Sequence, residues 1–328
     1  TRAFLGVNLD CAQCHDHPFA RWTRDQFWQT AAFFAPPTTD KGGKAVPASL
    51  TVPNTKKTLT PELLDGGTVN WPDVLATNTG RALLAEWMTA KSNPFFARNA
   101  VNRLWAEVFG TALVEPLDDL SGEGSNAGPG AELLGELAEA FAVSGFDVRY
   151  VTRALVLTTA YQRAAVTADD TATDPKLFAR MPVRGLTGEQ LYDSLRTAAG
   201  LPVERSDTGR GQASEARRRF TAQFLVARTV SAERSTTQAL TLMNGRLTND
   251  LTSPERNPTV AGVVNAPFLD IPGQVQTLFL ATLGRKPTAK ELKAMTSHVE
   301  GASESDRGRA LGDVFWALVN STEFNTNH

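Results

Sequence analysis

Cysteine and histidine are scarce in this chain: its 328 residues hold two Cys and four His. So few thiols exclude a disulfide-stapled scaffold, and a chain of this length buries a core that needs no crosslinks. An excess of charge of one sign is missing as well. Lys and Arg number 33 against 35 Asp and Glu, the net charge is −2 and the isoelectric point lies near 6.1, a balance that argues against nucleic acid as a partner. The basic cluster Arg217-Arg218-Arg219 sits in a Gly/Ser/Arg-rich stretch and reads as a solvated loop or the start of a helix. No apolar run approaches the roughly 18–20 residues of a membrane span. Gly-x-Ser-x-Gly, phosphate-loop and dinucleotide fingerprints are absent. The opening Thr1-Arg2-Ala3-Phe4-Leu5 has no initiator Met and reads as the interior of a longer protein whose N-terminal part is missing here.

Both cysteines are spent in one place. Cys11-Ala12-Gln13-Cys14-His15 has the spacing of a covalent c-type haem attachment site, in which the two thiols meet the two vinyl groups and His15 is the proximal iron ligand. Three other readings share these residues. One is a redox dithiol of thioredoxin type, although no βαβ context surrounds it. Another is zinc held by Cys11, Cys14, His15 and His17, although structural zinc usually takes two separated ligand pairs. The third is a structural role with no cofactor, the cysteines being buried or disulfide-linked.

Each c-type haem needs its own motif, so the chain carries one haem at most. His17 lies too close to His15 to reach the opposite porphyrin face, and with Pro18 after it is assigned a supporting place near the propionates. The candidates for a distal ligand are Met88, Met181, Met243, Met295 and His298, and each also suits a core or surface position.

Helical signals fill the rest. Thr23-x-x-Gln26, Thr187-x-x-Gln190, Ser235-x-x-Gln238 and Thr288-x-x-Glu291 are capping boxes, each opening a helix. Leu83, Leu84, Trp87 and Met88 form an apolar stripe from Thr79. Asn93-Pro94 reads as the cap and first residue of a helix that buries Phe96, Val101, Leu104, Trp105 and Val108 and ends at Gly110. Leu133, Leu134, Leu137 and Phe141 mark the next helix, Val148, Val151 and Leu155 another, and Leu311, Phe315, Leu318 and Val319 the last. Residues 38–75 read as a loop with one small hairpin whose Val69, Trp71 and Leu75 need burial. The expected fold is mainly α, a multi-helix orthogonal array with a small irregular or β-hairpin insertion. Its expected parts are 1–37 with the Cys motif, a connection at 38–75, and a helical domain at 76–328.

The run Phe4-Leu5-Gly6-Val7, Cys11-Ala12-Gln13-Cys14-His15-x-His17-Pro18-Phe19, Trp22-Thr23 and Ala31-Ala32-Phe33-Phe34 resembles the end of the planctomycete cytochrome-c-like domain. The remainder of the chain resembles the companion C-terminal domain of unknown function. The similarity lies in Leu84-x-x-Trp87, Asn93-Pro94-Phe95-Phe96-Ala97-Arg98, Val101-Asn102-Arg103-x-Trp105, Leu113-Val114-Glu115-Pro116-x-Asp118-Asp119 and Tyr161-Gln162. It continues through Glu189-Gln190-Leu191, Glu233-Arg234-Ser235, Gln238-Ala239-Leu240-x-Leu242-Met243-Asn244-Gly245 and Asn320-Ser321-x-Glu323-Phe324. The resemblance implies a periplasmic or cell-surface protein with a haem, and it supplies no established activity. Where relatives often carry His, this chain has Glu107 and Gly130, so any metal or acid/base role of those histidines is not available here.

Arg98 and Asn102 share a helix face, with Asp118 and Asp119 in the loop beyond that helix. They read either as a polar site near a substrate or haem propionate or as an interhelix salt-bridge network. The expectation is thus an extracytoplasmic c-type-cytochrome-like protein acting in electron transfer or haem-dependent redox chemistry with an unidentified redox partner. The alternative is a non-redox enzyme or cell-surface, polysaccharide-linked binding protein with a structural metal or disulfide at the Cys motif.

Overall fold

A computed structural model describes residues 1–121, 128–165, 175–202, 215–224 and 235–327. Glu233, Arg234 and His328 lie outside the described residues. The fold is mainly α with small antiparallel strand pairs, and the chain divides into two compact units, Thr1–Arg163 with Thr171–Ala179, and Ala164–Asp170 with Arg180–His328.

The first unit contains α1 (Arg2–Leu5), α2 (Arg24–Ala32), α3 (Thr79–Met88), α4 (Phe96–Phe109), α5 (Pro129–Val143) and α6 (Val148–Val156). Helix α4 is the frame: its Val101, Trp105 and Phe109 are buried, and α5 and α6 pack on it. Trp105 stacks on Phe109 with ring centroids 4.2 Å apart. The helix begins at Phe96, two residues later than the Asn93-Pro94 signal suggested. The Asn93 side-chain oxygen accepts from the N–H groups of Phe95 and Phe96, both at 2.9 Å, so Asn93 closes a turn before the helix and Pro94 sits in that turn. Helix α1 is tied to α4 by Asn99, whose Nδ2 donates to the Ala3 carbonyl at 2.8 Å. Gly6 comes next at φ 59°, where a Cβ would lie 2.9 Å from Asn99 Oδ1, so this turn requires glycine.

The segment 38–75 holds two strand pairs where one hairpin was expected: β1 (Thr38–Thr39) with β2 (Ala45–Val46), and β3 (Leu50–Thr51) with β4 (Thr58–Leu59). The first turn is organised by Asp40, whose Oδ1 accepts from Gly42 and Lys44 N–H at 2.9 Å. The expected burial of its apolar residues holds for Val69 and Trp71, which pack on the Phe33, Leu63 and Leu84 cluster. Gly130 lies against the Leu113 carbonyl, 2.7 Å from where a Cβ would be, so this backbone leaves no room for a side chain there.

The second unit contains α7 (Gly188–Ala198), α8 (Glu215–Gln223), α9 (Thr236–Asn244), α10 (Arg246–Thr252), α11 (Pro258–Val264), α12 (Ile271–Leu283), α13 (Ala289–Glu300), α14 (Arg307–Val319) and α15 (Thr322–Asn325). A short pair, β5 (Arg184–Gly185) with β6 (Thr326–Asn327), closes it. Helix α14 is central: Leu311, Val314, Phe315, Leu318 and Val319 are buried against α10, α11, α12 and α13. All four capping boxes read from the sequence, at Thr23, Thr187, Ser235 and Thr288, are formed with both of their hydrogen bonds. The basic cluster is part of α8, and Arg217 reaches Asp193 at 2.9 Å.

Candidate functional site

Cys11–Gln13 form one turn of 3-10 helix, with the N–H groups of Cys14 and His15 both donating to the Cys11 carbonyl, at 3.3 and 3.4 Å. Ala12 is 0 % exposed and plugs this turn into a core of Leu5, Val7, Leu9, Trp22 and Leu64. That anchor leaves Cys11 and Cys14 exposed, and they are unbridged. Two bonds tie the motif to α2: Trp28 Nε1 donates to the Gln13 carbonyl at 3.2 Å, and Arg24 N–H donates to Asp16 Oδ1 at 2.8 Å.

The His15 ring is exposed, and its Nδ1 lies 2.7 Å from the Asp16 carbonyl. A carbonyl only accepts, so Nδ1 carries the proton and Nε2 of the neutral ring keeps its lone pair, the arrangement typical of a metal-ligating imidazole. His17 does different work. Its N–H donates to the Trp22 carbonyl at 2.8 Å and its Nδ1 accepts from Phe19 N–H at 3.2 Å, so it closes a loop over Pro18–Arg21. The donor set of two exposed thiols and one oriented imidazole fits thioether attachment with a single axial ligand.

That loop forms one wall of a cavity of about 1380 Å³, completed by Gly6, Phe95, Arg98 and Leu120. Leu120 N–H donates to the Gly6 carbonyl at 2.7 Å and joins these two parts of the lining. Arg21 lies over the Trp22 ring, 4.9 Å from its centroid. Burial pushes the Arg98 guanidinium below its ordinary pKa. Among the described residues of the lining Asp65 is the acid, and Trp87 Nε1 and Gly67 N–H occupy its two oxygens, at 2.8 and 2.9 Å.

With this geometry in place, comparison with known proteins finds two matches. Residues 1–39 match PSCyt2, protein of unknown function (DUF1549), and residues 80–222 match PSD1, protein of unknown function (DUF1553). Both are planctomycete-type domains. No curated protein and no solved structure matches the chain. The first match contains Cys11, Cys14, His15 and His17, and the second contains Arg98, Asn102, Asp118 and Asp119; neither description names a cofactor.

The four polar residues grouped by the sequence have separate tasks. Asn102 is 0 % exposed and holds Val114 through both backbone groups. Asp118 pairs with Arg2 at 3.8 Å on the surface, and Asp119 Oδ1 accepts from the Ser121 hydroxyl. Arg98 shares the cavity wall with Leu120 and Ser121, so the loop carrying the two aspartates does reach it.

Of the aromatic residues near the motif, Trp22 and Phe33 are each 1 % exposed in the core, whereas Phe19 and Phe34 are 84 % and 63 % exposed. Phe34 lines a second, apolar cavity of about 570 Å³ with Leu84, Trp87 and Met88. Met88 is half-buried and packs against the clusters around Trp22 and Phe33. His298 faces Asp313 at 3.4 Å, and Met295 packs into the core of the second unit. Arg21, to which the sequence gave no role, lines the large cavity beside Trp22; its place in the loop after His17 was the available signal.

Proposed function

We propose that this chain carries one covalent c-type haem on Cys11 and Cys14, with His15 as axial ligand, and serves extracytoplasmic electron transfer or haem-dependent redox chemistry. One observation carries the reading: two exposed, unbridged thiols share a buried-anchored turn with an imidazole whose Nδ1 is held by a backbone carbonyl. The zinc alternative is less well supported, since among the described residues no three His, Cys, Asp or Glu side chains are arranged to hold a metal ion. When bound, the haem supplies one-electron chemistry at iron, tuned by its axial ligand and solvent exposure.

The chain's own contribution is positional. Ala12 seats the turn, the Asp16–Arg24 bond prevents it from swinging off α2, and the Asp16 carbonyl orients the His15 ring. Exposure of Cys11, Cys14 and His15 keeps the attachment edge accessible to a redox partner. The test is production in a host competent for cytochrome c maturation. A Soret band, a reduced α-band and haem retained after denaturation are expected; a colourless product with stoichiometric zinc defeats the proposal.

A further inference from the structure

The second cavity, of about 570 Å³, extends along α3. Arg81, Leu84, Ala85 and Met88 all line it, and their spacing of three and four places them in one stripe of the helix, about 10 Å from first to last. Leu5, Leu64 and Phe96 face the same space, and the exposed rings of Phe4 and Phe34 stand at its rim. Apart from Arg81, the side-chain donors that α2 and α3 bring to this lining are spent or sealed: Trp87 Nε1 donates to Asp65, Thr89 Oγ1 donates to the Ala85 carbonyl at 2.8 Å, and the Thr30 hydroxyl is itself buried. A polar ligand atom finds no partner along the stripe, whereas a hydrocarbon chain gives up nothing there. Arg81 is different. It is exposed in the first turn of α3, and its guanidinium makes no hydrogen bond or ion pair among the described residues. Glu62, the acid of this lining, accepts from Gln29 Nε2 and repels a second carboxylate, so an acid entering the cavity is drawn to the Arg81 end.

We propose that this cavity binds a medium-chain fatty acid, with the acyl chain along Leu84, Ala85 and Met88 and the carboxylate on Arg81. Cys11, Cys14 and His15 take no part in the described lining, so the site stands whether or not a haem is attached.

The test is calorimetric titration of the full chain with sodium decanoate below its micelle-forming concentration. Octanoate, two methylenes shorter, is expected to bind about tenfold more weakly, because each buried methylene adds to the affinity. Decanol and decylamine, which keep the chain and lose the carboxylate, should each bind about tenfold more weakly than decanoate. Arg81→Gln should bring decanoate down to the level of decanol and leave decanol unchanged, a pattern that a general loss of structure would not give. Ala85→Phe, which places a ring in the trough from an exposed position, should weaken binding of both, and far-UV circular dichroism checks that each variant is folded. The proposal is overturned if decanoate does not bind, if octanoate matches it, if decanol or decylamine binds as tightly, or if folded Arg81→Gln or Ala85→Phe protein binds decanoate like the parent. None of these results bears on the thioether spectrum, so failure here and failure of the haem reading are separate outcomes.

Discussion

Asn102 and Val114 hold each other by a two-way hydrogen bond: Asn102 Nδ2 donates to the Val114 carbonyl at 2.8 Å, and Val114 N–H donates to Asn102 Oδ1 at 3.1 Å. Both residues are buried, so a side chain on α4 takes the place of a neighbouring strand for the loop that leads toward Asp118. This clamp sets the path of one cavity wall. It is a structural task for a residue that the sequence offered equally as part of a polar site.

Asn102→Leu keeps the γ-branched shape in a larger side chain and leaves both Val114 backbone groups buried without partners. A loss of about 2–4 kcal/mol in stability is expected, read from the urea midpoint. A variant as stable as the parent would show that the loop satisfies itself in another way.

Gly312 on α14 lies so close to α10 that a Cβ would meet the Thr252 carbonyl oxygen at 2.0 Å. Gly312→Ala should therefore destabilise by at least about 1–3 kcal/mol through forced separation of the helices. Gly308 on the same helix is the control, because its Cβ would make ordinary contact with Pro254 at 3.4 Å. Gly308→Ala should be neutral or stabilise by up to about 1 kcal/mol. Equal effects from the two substitutions would remove the close-approach explanation.

Arg285 is gripped by two carboxylates, Glu323 at 2.6 Å and Glu291 at 2.8 Å. The Arg285 guanidinium, helped by the Thr288 N–H, holds the Glu291 carboxyl down at about 2, against an ordinary value of 4.5. A depressed folded-state value means that the stabilisation is full above pH 4.5 and is lost as pH falls toward about 2. Denaturant midpoints should fall across that window in the parent and fall less steeply in Glu291→Gln. Parallel profiles would show that the pairing adds nothing in solution.

The double variant Cys11→Ser, Cys14→Ser should lose covalent haem while keeping its far-UV circular dichroism. Both side chains are exposed, so an effect on stability within about 0.5 kcal/mol is expected for the haem-free chain. A large loss of helix would mean that the thiols carry part of the fold.

Local chemistry was the legible part. The four capping boxes were readable because both members of each lie within one turn, where spacing alone brings donor to acceptor. Helices α11 and α12 carry an equally local signal, a capping Asn257 or Asp270 with a proline in the first turn. The Cys motif was legible for the same reason, since five adjacent residues define it.

The cavity was not legible, because its walls come from separate segments between Leu5 and Ser121, and tertiary packing alone decides that Arg98 and the loop after His17 line one cavity. The same holds for Asp118, whose partner is Arg2, and for Asn102, whose partner is a backbone rather than a charge. By itself, then, the amino-acid order determined the mainly helical class, the helix starts and the position of the thiol–imidazole turn, all products of contacts within a few residues. Which polar residues became clamps, which aromatic rings were sealed in the core, and which segments came to line the cavity beside the Cys motif depended on the packing of distant segments, an outcome of buried surface that no local spacing encodes.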